Sequence, residues 1–136
     1  MTRNLAALAL ALGLAATAAW AAKTPHGGTM FAPSAGKHVY HLELVPKDGD
    51  KAVIYVLAKD EKTAVPIKDK KFTLSVKGAG KVEFTADPQK SDPEGKASRF
   101  TAAASKLPKK IDFEQVEISG LVNGRPFIFK LDKDDD

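Results

Sequence analysis

The chain contains no cysteine, and only three histidines, one tryptophan and two tyrosines among its 136 residues. Without cysteine there is no disulfide staple, no thiolate nucleophile and no sulfur-ligated zinc or iron–sulfur centre. The hydrophobic core must therefore hold the fold unaided. Arginine is equally scarce: Arg3, Arg99 and Arg125 are all there is. The net charge of +4 and isoelectric point near 9.2 come from scattered lysines, which sit in turns and at strand ends between acidic residues. No arginine cluster or basic helix face exists, so the lysines read as a solvated surface and nucleic acid is not an expected partner. Also missing are G-x-S-x-G, H-E-x-x-H and any phosphate-cradling glycine loop. Carboxylate pairs carry little meaning in a chain with 17 acidic residues. A binding protein, not an enzyme, is expected.

Residues 1–22, MTRNLAALALALGLAATAAWAA, place Arg3 before an uncharged apolar run and end in Ala19-Trp20-Ala21. A positive start, an apolar middle and an A-x-A site form the secretory signal-peptide pattern. The run is alanine-rich and short for a membrane span. Residues 1–21 are thus read as a signal peptide cleaved near Ala21, and the protein as periplasmic or secreted, with no stable membrane insertion afterwards. Roughly 115 residues remain, enough for one core and too few for two.

Those residues alternate with a period of two and show almost no helical pattern. HVYHLELV (38–45) sets Tyr40, Leu42 and Leu44 on one face and Val39, His41 and Glu43 on the other. AVIYVLA (52–58) is a continuous apolar run, suited to a strand buried on both faces. KFTLSV (71–76), VEFTA (82–86), ASRFTAA (97–103), IDFEQVEISG (111–120) and PFIFKL (126–131) follow, separated by turn residues. The apolar parity slips between Phe113 and Val116, which predicts a bulge near Gln115. Asn123-Gly124 predicts a tight hairpin, and Pro126 should open the last strand or lie at an edge. About seven short strands imply an all-β antiparallel β-sandwich, immunoglobulin-like in its Greek key, with a small β-barrel as the alternative. The expected organisation is a signal peptide (1–21), an N-terminal loop segment (22–37), the β-sandwich domain (38–131) and an acidic tail (132–136).

All three histidines lie within TPHGGTMFAPSAGKHVYHLEL, residues 24–44. His41 and Glu43 form an H-x-E pair, and residues two apart on a strand face the same side. Imidazole and carboxylate suit Zn²⁺, Cu²⁺, Ni²⁺ or Co²⁺. His26 precedes two glycines that free its loop to fold over a sheet face. The expected metal ligands are His26, His41 and Glu43. His38 would join through a bend at Gly36-Lys37, and Met30 would add a thioether for Cu⁺. Since imidazole must be neutral to coordinate, binding should weaken below pH about 6.5.

The segment Pro25–Ala58, with PHGG soon after the export signal, then YHLELV and IYVL, resembles the metal-binding N-terminal segment of some periplasmic adaptor subunits of resistance–nodulation–division metal pumps. The resemblance implies capture of heavy-metal ions or their delivery to an efflux or envelope partner, with His26, His41 and Glu43 as ligands. No coiled-coil hairpin or lipoyl-type turn accompanies it, so it implies a free-standing domain. The alternative is a non-catalytic envelope module that binds no metal and exposes an apolar patch near Phe127-Ile128-Phe129.

Overall fold

The computed structural model describes residues 24–35 and 39–133. The expected signal peptide and His38 lie outside the described residues. Eight strands occur: β1 (Thr29–Pro33), β2 (Tyr40–Asp48), β3 (Lys51–Ala58), β4 (Lys71–Val76), β5 (Gly80–Ala86), β6 (Arg99–Ala103), β7 (Val116–Val122) and β8 (Arg125–Leu131). Among the described residues, helix is confined to two 3-10 turns, Ala104–Lys106 and Phe113–Gln115.

The all-β expectation holds, but the strands do not split into two sheets. They close into one antiparallel barrel in the order β1-β2-β3-β6-β5-β4-β7-β8, the stated alternative to the sandwich. The cause is β1, which lies inside the segment expected to be a loop. Thr29–Phe31 pair with Leu44–Leu42 of β2, and Phe31–Pro33 pair with Leu131–Phe129 of β8. One five-residue strand thus satisfies two sheet edges that a sandwich would leave open. The connections 59–70 and 104–115 cross between non-adjacent strands and produce the Greek key.

Inward residues follow the alternation read from the sequence. Phe31, Phe72, Phe84, Phe100 and Phe129 are fully buried and fill the interior together with Leu42, Leu44, Ile54, Leu74 and Ile118. Phe72 meets Phe100 edge-on at 4.8 Å, and Phe129 at 6.3 Å. The barrel is therefore packed solid, without a channel. The parity change before β7 is not a bulge: it falls at the 3-10 turn Phe113–Gln115, where Asp112 accepts the N–H of Glu114. The Asn123-Gly124 hairpin is present, with φ of 51° and 85°.

β3 is buried on both faces, as its apolar run requires. Its outward residues Val53, Tyr55 and Leu57 form a second, smaller cluster with Met30 and Val45. This outer layer on β1–β2–β3 holds the buried polar groups His41 and Glu43.

Candidate metal centre

His41 and Glu43 share the outward face of β2, as their spacing dictates, and both are almost fully buried there, at 2% and 0% exposure. The H-x-E pair nevertheless divides between two clusters.

Glu43 belongs to the N-terminal segment. In the sheet it lies opposite Met30 on β1 and Tyr55 on β3. Its Oε2 accepts the backbone N–H of His26 at 2.8 Å and of Gly28 at 2.9 Å. Its Oε1 lies 2.8 Å from Nδ1 of His26. A carboxylate offers only acceptors, so Nδ1 carries the hydrogen of that contact. The imidazole stacks on Tyr55, ring centres 3.6 Å apart and ring planes nearly parallel at 5°. The glycine turn does what its sequence suggested: Gly27 adopts φ +75° and carries His26 back over the sheet. Gly28 packs so closely on the carbonyl of Leu44 that a Cβ there would collide with backbone. Three donors compensate the buried carboxylate, the condition under which such a group is tolerated. With both oxygens engaged, Glu43 serves as an anchor for residues 24–28.

Tyr55, beneath His26, has its hydroxyl pKa raised by burial. Arg99, which hydrogen-bonds it and lies opposite it on β6, offsets part of that rise, while Asp48 and Glu43 add to it.

His41 faces the other way along the strand. Its Nε2 lies 3.5 Å from Oε2 of Glu61 and 3.8 Å from Oδ2 of Asp132. Among the described residues, His41, Glu61 and Asp132 are the group whose donor atoms converge, one from each residue, all within 4.8 Å of one another. Two ligands about 2.1 Å from one zinc ion in a tetrahedron stand about 3.4 Å apart, so the spacing matches a shared divalent cation with small adjustment. Glu61 reaches the group from the turn after β3, where it holds a φ of 63°, outside the regions favoured by non-glycine residues. The turn is fixed by Asp60, whose Oδ1 accepts the N–H groups of Lys62 and Thr63 and whose Oδ2 accepts the Thr63 hydroxyl. The hydrogen bonds from Thr63 and Lys62 hold the Asp60 carboxyl down to a pKa of about 2. Asp132 follows β8 directly, its N–H donating to the Met30 carbonyl on β1 at 2.9 Å.

The five residues expected as ligands therefore separate. His26 joins Glu43, His41 joins Glu61 and Asp132, Met30 packs into the outer apolar cluster, and His38 lies outside the described residues. Glu61 and Asp132 escape sequence reasoning. Nothing in KDEKT (59–63) marks one acid over the other, and Asp132 reads as the start of a charged tail. Comparison with protein families, with characterised proteins and with solved structures finds no match to this chain.

Proposed function

We propose that this is an exported metal-binding domain that takes a zinc-type divalent cation at His41, Glu61 and Asp132. The observation that carries the reading is the convergence of one imidazole and two carboxylates from β2, the β3–β4 turn and the end of β8. One nitrogen and two oxygens favour Zn²⁺, Co²⁺ or Ni²⁺, with Cu²⁺ also suited, over Cu⁺, which prefers sulfur. Three ligands converge among the described residues, and a further donor, such as water or a group from a partner, would complete the coordination of an ion that is accepted and handed on. Buffering or delivery to an envelope partner, not catalysis, is the proposed role. The export itself rests on the signal-peptide pattern of residues 1–21.

Calorimetry at pH 7.5 tests the proposal. The protein should bind about one equivalent of Zn²⁺, His41→Ala should abolish binding, and His26→Ala should leave it intact because His26 belongs to the Glu43 anchor. Absence of binding to Zn²⁺, Cu²⁺, Ni²⁺ and Co²⁺ alike would refute it. So would loss of binding in His26→Ala with retention in His41→Ala.

A further inference from the structure

We infer that the outer groove beside the β7–β8 hairpin binds a single-chain amphiphile with one anionic headgroup, taken up as a monomer. This inference is independent of the metal proposal and shares no residue with it.

Outward positions on a barrel facing water are ordinarily polar, as Glu117 and Lys130 are in their exposed cross-strand pair. Further along the same two strands the pattern breaks. Among the described residues, the large hydrophobic side chains that remain exposed are Val39, Leu121 and Ile128, at 46%, 46% and 47%. All three line one groove of about 850 Å³. It lies in the range of small-molecule sites, roughly 300–1,000 Å³. Its floor is the part of β8 that β1 does not reach: β1 pairs only with Phe129–Leu131, the Ser34 N–H extends that edge to Ile128, and among the described residues 125–127 pairs with β7 alone.

The polarity of the groove selects the occupant. Among the described residues that line it none is acidic, and the one charged side chain is Arg125, which makes no ion pair with them or with any other described residue. Hydrogen-bonding capacity is sparse. The β7 and β8 backbones pair with each other, the Ile128 carbonyl accepts the N–H of Ser34, and Pro126 has no N–H to offer. A peptide laid here would find few backbone partners, since Pro126 offers no N–H and the Ile128 carbonyl is taken, and would bury amides of its own at a cost in free energy. A hydrocarbon chain brings no such groups, and its carboxylate or phosphate would meet the Arg125 guanidinium. An apolar body with one anionic end is the chemistry that satisfies both features.

The experiment titrates the purified protein with dodecanoate below its critical micelle concentration, with dodecanol and dodecyltrimethylammonium as controls, following methyl and amide resonances. Saturable shifts should centre on Val39, Leu121 and Ile128, with affinity in the order dodecanoate, dodecanol, dodecyltrimethylammonium. Arg125→Gln should weaken dodecanoate about tenfold, the scale of one charge-assisted hydrogen bond, and leave dodecanol unchanged. Ile128→Ser, at an exposed position and so compatible with the fold, should weaken dodecanoate and dodecanol alike. The inference is overturned if no ligand shifts these resonances, if the cationic control binds as well as dodecanoate, or if the shifts map elsewhere. Binding to anionic vesicles without binding to monomeric dodecanoate would also overturn it, since the face would then be a membrane contact.

Discussion

Replacing Glu43 by glutamine preserves the size of a fully buried side chain and changes only its hydrogen-bonding chemistry, so its consequences can be worked through atom by atom. The carboxylate now receives two backbone N–H groups on Oε2 and faces Nδ1 of His26 with Oε1. The glutamine oxygen can take over the two backbone donors, but its NH₂ group then points at Nδ1. Two donors cannot face each other, so the ring must move its hydrogen to Nε2 and accept at Nδ1. Glu43→Gln should therefore invert the His26 tautomer, which imidazole ¹⁵N shifts report directly. Two backbone hydrogen bonds become neutral where they were charge-assisted, at about 1 kcal/mol each, for a total loss of about 2 kcal/mol. For a barrel of this size that lowers the melting temperature by roughly 10 °C. Urea denaturation gives the free energy, and amide exchange at His26 and Gly28 shows whether residues 24–28 open before the barrel does. An unchanged tautomer with an unchanged denaturation midpoint would refute the anchor reasoning.

Asp60 is held at a pKa of about 2, below its ordinary 3.8, so the bonds that fix the Glu61 turn strengthen folding above pH 3.8 and are lost only as pH falls through about 2. Amide resonances of Lys62 and Thr63 should titrate with that midpoint, and a midpoint near 4 would show the turn to be loose. Tyr55 has a raised pKa, so its contribution to stability is complete below pH about 10 and fades as pH climbs through the folded-state value. Ultraviolet titration should place its ionisation above that of free tyrosine, and Arg99→Gln should raise it further by removing the offsetting charge. Gly120→Ala puts a Cβ 2.6 Å from Cδ1 of Phe72, whose ring is held edge-on against Phe100. Overpacking should cost about 1–3 kcal/mol in denaturant unfolding, and a neutral substitution would mean the core yields more than its packing implies.

Much of the barrel was legible because inward residues alternate cleanly. Leu42 and Leu44, Phe72 and Leu74, and Val82 and Phe84 all face the interior as their parity requires. The strand that sets the architecture was not legible. Thr29–Pro33 is short, follows two glycines and ends at a proline, so local propensity reads it as loop, while its pairing with β8 depends on residues distant in sequence. At the candidate site the same division holds. The outward placement of His41 and Glu43, and the return of His26 over the sheet, follow from period and glycine content. The separation of His41 from Glu43 does not, because it is decided by where a crossover turn and a chain terminus bring Glu61 and Asp132.

The way β1 closes the barrel also bears on the order of events in folding. β1 touches β2 almost as soon as both have been made, but its other edge waits for β8, roughly 100 residues further on, a long-range closure of the kind that slows folding. A chain emerging N-terminus first therefore carries an incomplete sheet until its last strand is out, with Phe31 lacking the wall that β8 provides. Removing β8 would leave β1 and β7 each with an open edge, turning a sealed surface into two templates for pairing with another chain. β8 thus acts as the latch that closes the barrel and seals both edges at once.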